Sequence, residues 1–340
     1  MTKPTRMTSD APTTLTARAP EDLLAMAPVL LGFWPEESIV MLTIGARQPF
    51  HARIDLPPRS VQDATVRLAL AEALVDPARR HGASGVALLY FTADRPAATF
   101  LHPDLARAFR RAGLTVHAAL TADGHTWLDL AVSAKSRRPQ PYDVSSHPFV
   151  VQALVEGRIA HRSRAEMVDS LEPDPELVAR VERAVLDAGL PEHGLAVDGR
   201  AVRAQGEWVA ATVATAVTTG VDLSVTTSAR LLWVLQQPRV RDAAWAAITR
   251  ADAAAHVDLW ASQVRRAPES LVAQPAALLG WASWQAGDGA RAWAAIDRCQ
   301  RVEPGHRMAG QLAVLLQHAV PPSDWDGGWD WTLGLPPSGA

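Results

Sequence analysis

The sequence predicts an α/β N-terminal domain with a mixed sheet, joined to an all-helical, partly repeat-like C-terminal domain. Three observations predict this. Short apolar runs alternate with helical spacings between residues 39 and 131, the pattern of helices layered on a sheet. From Phe149 onward nearly every periodic segment has helical spacing. A chain of 340 residues is also long enough to bury two separate cores.

Residues 1–19 are rich in Thr, Pro and Ala without periodicity, and are expected to be a disordered tail. Pro20-Glu21-Asp22 is a helix start, with proline in the first turn and acids at the positive end of the dipole. Pro28 is expected to limit that helix and Gly32 to close the turn after it. Ile39–Ile44 and Phe50–Leu56 read as strands joined by the five residues 45–49, which fits an antiparallel hairpin. Val66, Leu70 and Leu74 give 61–80 a helical face. Val86–Phe91 is a continuous apolar run, as in a strand buried on both faces. A helix over 101–112 and a strand over 114–120 follow. A further strand over 126–131 comes after the turn Asp123-Gly124, and 133–148 reads as a loop. The α/β domain is thus 20–148, with an antiparallel hairpin followed by parallel crossovers.

Residues 149–199 read as a helical connector, 200–322 as a helical domain, and 323–340 as a flexible tail. Pro238, Pro268, Pro275 and Pro304 punctuate the helices. Ten of the twelve tryptophans lie between Trp208 and Trp331, where they are expected to fill the core. In LLGWASWQAGDGARAWAAIDRCQRVEP, Leu279-Gly280, Gly287, Ala292, Ile296, Cys299 and Pro304 fall at the offsets of one tetratricopeptide repeat. Ala276 and Ser283 replace its aromatic positions, and no clean second copy precedes it. The C-terminal domain is therefore expected to be partly tetratricopeptide-like, built from antiparallel helix pairs.

Composition narrows the function. The net charge of −3 arises from 33 basic and 36 acidic residues without long blocks, so there is no footprint for nucleic acid or an anionic membrane. Cys299 is the sole cysteine, which precludes an intrachain disulfide. The first twenty residues lack the apolar core of a signal peptide, and the apolar stretch 23–34 is too short to span a bilayer. A cytoplasmic location is expected. Asparagine is absent and Lys3 and Lys135 are the only lysines, the skew of a GC-rich bacterial genome.

No catalytic motif is complete. Gly82-Ala83-Ser84-Gly85 is followed by Val86 where a nucleophile elbow needs glycine. Gly287-Asp288-Gly289 lacks the rest of a dinucleotide fingerprint. The eleven histidines show no zinc-ligand spacing, so no metal or cofactor is assigned. Cys299 sits where a helix pair needs a small apolar residue. Ser163-Arg164-Ala165-Glu166 matches a capping box.

The candidate site follows from topology. A hairpin places Glu36, Glu37 and Ser38 beside Arg53 and Asp55. Two right-handed crossovers then align the later strands with residues 50–55. The carboxyl ends of three strands share one edge, carrying Asp55, then Thr92, Asp94 and Arg95, then Thr121 and Asp123. Open α/β sheets bind ligands at such an edge. Glu36, Glu37, Ser38, Arg53, Asp55, Asp94, Arg95 and Asp123 are the candidate ligand-binding residues.

LLGFWPEESIVML at 30–42, ARIDLP at 52–57, HRSRAEMVDSL at 161–171, VRDAAWAAI at 240–248 and WQAGDGARAWAAI at 284–296 together resemble the domain of unknown function 4192 family. The resemblance covers most of 21–322. It implies an actinobacterial cytoplasmic protein and a fold extent, and no reaction. That family often carries a cysteine-rich stretch after the tryptophan at Trp127; here LDLAVSAKSRRPQPYD has no cysteine. The expected function is a non-enzymatic interaction or regulatory module that offers a groove of its helical half to another protein. The alternative is an enzyme, or a binder of a small molecule or divalent cation, using the carboxyl edge of the sheet.

Overall fold

Strands β1 (Ser38–Ile44) and β2 (His51–Asp55) form the expected antiparallel hairpin, with Ser38 opposite Asp55 and Leu42 opposite His51. In the computed structural model, residues 16–47, 50–189, 198–325 and 329–337 are described. They fall into two units, the first ending at Met167 and the second beginning at Val168. Most of the tail 1–19, and Gln48-Pro49 of the hairpin loop, lie outside the described residues.

The first unit continues with α2 (Ala64–Arg80), β3 (Gly85–Phe91), α3 (Arg95–Arg111), β4 (Thr115–Ala122), β5 (Thr126–Asp129), β6 (Gln140–Pro141) and α4 (Pro148–Val155). The sheet order is β2-β1-β3-β4-β5-β6. β1 lies between β2 and β3 and is antiparallel to both, while β3 and β4 are the parallel pair. β2 and β3 therefore run in the same direction without touching. β6 falls inside the stretch expected to be a loop. It is a two-residue edge strand on which Pro141 sits opposite Thr126, a position where a missing N–H is tolerated.

Alternation divides the sheet's side chains. Ile39 and Met41 of β1 join Leu88 and Tyr90 of β3 in a core with Leu74 of α2 and Leu101, Leu105 and Phe109 of α3. Val40, Ala87 and Leu89, of opposite parity, are also buried. The N-terminal helix α1 (Pro20–Leu31) packs on β3, β4 and α4. It runs straight through Pro28, which was expected to limit it, and ends at Gly32, whose φ of 77° no side-chain-bearing residue adopts easily. Pro28 costs the helix one hydrogen bond, and burial of Leu24, Ala25, Ala27, Val29 and Leu31 on one helix offsets it. Helix α3 starts at Arg95, well before the expected 101, because Asp94 caps it by accepting from the Ala97 N–H at 3.1 Å.

Helix α5 (Arg164–Asp169) follows, then α6 (Pro175–Asp187), α7 (Gly199–Thr219), α8 (Val225–Val234), α9 (Pro238–Ala246), α10 (Ala253–Arg266), α11 (Ala273–Gln285), α12 (Gly289–Val302) and α13 (Arg307–Gln317). Ser163 caps α5 by accepting from the Glu166 N–H, but Glu166 returns to the Arg162 N–H rather than to that of Ser163. The expected connector is divided: α4 belongs to the first unit, whereas α6 packs on α8 and α10 in the second. Every residue of α11 is buried. A Cβ on Gly280 would lie 3.1 Å from Leu312 and 3.4 Å from the Ala292 carbonyl, so glycine there sets how closely α11 approaches α12. The segment expected to be a flexible tail packs on the helices over its described residues: Trp325 and Trp329 contact Trp245. Among the described residues, no helix is long and apolar enough to cross a membrane.

Candidate functional site

The register places the predicted edge together. Ser38 is opposite Asp55 on one side and Phe91 on the other, and Phe91 is opposite Ala122. The corner 36–38, Asp55, residues 92–95 and Asp123 therefore share one end of the sheet.

Most of these side chains are committed to protein partners. Glu37 turns the corner with a φ of 39°, a region that L-residues seldom occupy. Its carbonyl accepts from the Leu56 N–H at 2.8 Å, and its carboxylate from the Thr92 hydroxyl at 2.7 Å and the Ala93 N–H at 3.3 Å. Glu37 thus ties the start of β1 to the ends of β2 and β3. The buried Ser38 hydroxyl accepts from Arg53 Nε at 2.9 Å and donates to the Glu36 carbonyl. Arg53 also pairs with Asp55 at 2.6 Å. Burial pulls the Arg53 pKa down, Asp55 pushes it up, and the Arg164 charge adds to the lowering.

Asp94 caps α3, and its own N–H donates to the Thr92 hydroxyl at 2.9 Å. Arg95 reaches Asp123 at 2.6 Å and also the Thr126 hydroxyl. Burial opposes ionisation of Asp123. The Thr126 and His125 N–H groups, with Arg95, nevertheless hold its carboxyl below the usual carboxylate range.

A cavity of ≈ 560 Å³ opens beside this bracket. Its walls come from Leu24 and Pro28 of α1, the corner 34–37, the ends of β3 and β4, the loop 142–145, and Arg162. Glu36, Glu37 and Asp123 line it as part of the predicted site, whereas Ser38, Arg53, Asp55, Asp94 and Arg95 do not. For Asp55 the reason is the strand order: β1 stands between β2 and β3, so the end of β2 is one strand removed from the cavity. Asp94 and Arg95 are drawn off by the α3 cap and the Asp123 turn.

Sequence reasoning missed Trp34, Tyr142, Asp143, Ser145 and Arg162. Tyr142 stands in the supposed loop, and its N–H donates to the His125 carbonyl at 3.0 Å just beyond β6. Burial raises the pKa of its phenol, a hydrogen bond with the Gly124 backbone lowers it, and Asp123 raises it again. The available signal was Pro141-Tyr142-Asp143, an aromatic residue and an acid in an otherwise Ser- and Arg-rich stretch.

The frame behind the cavity is polar. Asp22 of α1 accepts from His147 Nε2 at 2.9 Å, and Glu21 accepts from Trp127 Nε1 at 3.0 Å. The Arg18 N–H and His147 hold the Asp22 carboxyl below its ordinary value. These bonds fix α1 to the start of α4 and to β5. Among the described residues no three His, Cys, Asp or Glu side chains gather to hold a metal ion.

The model of one family, Domain of unknown function (DUF4192), matches residues 20–323. The chain belongs to that family, as the resemblance of its motifs implies. No curated protein and no solved structure matches it.

Proposed function

We propose that this member of the family is a binding protein whose ligand is a small organic cation, taken into the cavity at the carboxyl edge of the first unit's sheet. One observation carries the reading. Glu36 and Asp143, both exposed, line the cavity with Trp34 and Tyr142. Glu37 and Asp123 also line it but are tied to Thr92 and Ala93 and to Arg95, and one arginine lies on its wall. That arginine, Arg162, is itself engaged by Glu166. Carboxylates attract an ammonium group, and an indole or phenol face attracts it further once water is displaced. The volume lies within the range of roughly 300–1,000 Å³ common to small-molecule sites. The scattered carboxylates suit a ligand with its positive charge on an organic frame better than a bare divalent ion, which needs six or more converging oxygens or retained waters.

The location proposed is the bacterial cytoplasm, on the strength of the single cysteine and the composition. A partner-binding role for the helical unit is a second reading. The close α11–α12 pair at Gly280 supports its repeat-like character.

The test is calorimetric titration at low salt with a diamine, a quaternary ammonium compound, and a carboxylate of similar size. Heat is expected from the cations only, weakening as salt screens the carboxylates. Glu36→Gln with Asp143→Asn, both at exposed positions, is expected to abolish it without changing the melting temperature of the free protein. Equal binding of the carboxylate would sink the proposal.

A further inference from the structure

The two edges of the first unit's sheet are built differently. β6 ends one edge with two residues, one of them Pro141, so shortness and proline blunt it. β2 ends the other with five residues, His51-Ala52-Arg53-Ile54-Asp55, paired to β1 in unbroken register. This strand holds no proline, lysine or bulge. Its residues are half-exposed, and Asp55 is exposed. No described strand pairs with its outer side.

The β1–β2 ladder fixes which backbone groups that side offers. The Leu56 N–H donates to the Glu37 carbonyl, and the Thr43 N–H to the Phe50 carbonyl. Hydrogen-bonded pairs alternate along an antiparallel ladder, so residues 50, 52, 54 and 56 turn their backbone groups toward β1. Arg53 and Asp55 turn theirs outward. The side chains of these two share one face of the sheet, opposite the face on which Ile54 packs against the core. Arg53 is mostly buried, whereas Asp55, its carboxylate partner among the described residues, is exposed. Arg164 adds a further positive charge nearby.

We propose that β2 pairs antiparallel with β2 of a second copy of the chain, about a twofold axis at Ile54. Charge selects this register. It sets Arg53 opposite the copy's Asp55, and Asp55 opposite the copy's Arg53, at the positions whose backbone groups face outward. Opposite charges directly across a ladder attract. An axis shifted to Arg53 would set the two arginines against each other. Because a twofold axis makes both pairs at once, the arginines and aspartates alternate in a ring at the centre of the contact. Ile54 meets its own counterpart at a non-hydrogen-bonded position, where facing strands come closest. The next outward pair, His51 with the copy's Pro57, lacks the proline N–H. The ladder is therefore short and the dimer weak.

Sedimentation equilibrium of the full chain is expected to show one chain mass giving way to two as concentration rises from about 1 μM to about 1 mM. Asp55→Arg, at an exposed side chain, sets arginine against arginine and is expected to weaken the dimer at least about tenfold. Cross-linking reads the register, since Cys299 is buried and does not compete. Ile54→Cys places its thiol beside that of the copy and is expected to give a covalent dimer under mild oxidation. Ala52→Cys, on the same strand and face, meets the copy's Leu56 and lies too far from its own counterpart to bridge. It is expected to give at least about tenfold less covalent dimer. A chain that stays monomeric up to about 1 mM would overturn the proposal. So would a dimer that Asp55→Arg leaves intact, or equal cross-linking at positions 52 and 54.

Discussion

Arg53 donates Nε–H to the hydroxyl of Ser38 at 2.9 Å across the β1–β2 hairpin. The Ser38 side of this contact is fully buried, whereas Asp55, the other partner of Arg53, is 79% exposed at its side chain. The two partners therefore differ in what they contribute. Removing Asp55 loosens a surface ion pair, so Asp55→Ala is expected to change stability by about 1 kcal/mol or less. Removing the Ser38 hydroxyl strands a mostly buried guanidinium N–H, so Ser38→Ala is expected to cost about 1–3 kcal/mol. Urea melts of the two variants check the ordering, and a larger loss for Asp55→Ala contradicts it.

Phe33 follows the Gly32 that ends α1 and is 1% exposed. It pairs with His161 in an isolated parallel bridge, while the Gly32 carbonyl accepts from the Ala160 N–H at 3.1 Å. Phe33→Ala leaves a cavity at this junction and is expected to destabilise by about 3–5 kcal/mol. A thermal melt within a degree of wild type would show that the ring is not packed as described.

Cys299 of α12 is buried, and burial, with help from Glu303, pushes its thiol up to about 12. The thiolate is the reactive form. A chromogenic disulfide reagent at pH 8 is therefore expected to leave the native protein unlabelled and to titrate one thiol in denaturant. Rapid labelling of the native chain would contradict this.

His306 sets a pH dependence. Its Nε2 bonds to Gln274 Oε1 at 2.9 Å and its Nδ1 accepts from the Ala309 N–H at 3.3 Å. One ring nitrogen donates and the other accepts, so the site holds the neutral imidazole. Burial, with Arg241 nearby, lowers its pKa from 6.5 to about 4. A depressed histidine pKa means that the unfolded chain binds the proton first as pH falls. The stability contribution is thus complete above the unfolded value and is lost between about pH 6.5 and 4. The loss is on the order of 2–3 kcal/mol. His306→Asn, which can still cap α13, is expected to flatten the melting-temperature profile over that window. An unchanged slope would assign the dependence to other groups, of which His102, also lowered to about 4 by burial, is the first to examine.

How far each feature could be read in advance follows the range of the interactions behind it. The hairpin was legible because a five-residue loop leaves few ways to join two strands. The shared carboxyl edge was legible because crossovers have one hand. The Gly280 contact was legible because small residues at helical spacing have a local meaning. The run of α1 through Pro28 was not, since the burial that offsets the lost hydrogen bond comes from the sheet and from α4. The start of α3 at Arg95 was local by contrast, since Asp94-Arg95-Pro96 carries the helix-start signal of a capping acid and a first-turn proline.

Residue types and strand directions in the sequence determined which end of the sheet gathers acids. The tertiary structure decided which acids face open space. Asp55 is removed from the cavity by the place of β1 between β2 and β3. Asp94 is taken by a helix cap, and Asp143 and Tyr142 are brought in from a stretch some 50 residues beyond β3. The tryptophans divide the same way. Their abundance in the helical half was plain from composition, but a tryptophan's hydrophobic character names no partner. Only the folded chain seats Trp331 against Gly206, because that notch arises where a glycine on α7 meets a ring more than a hundred residues away.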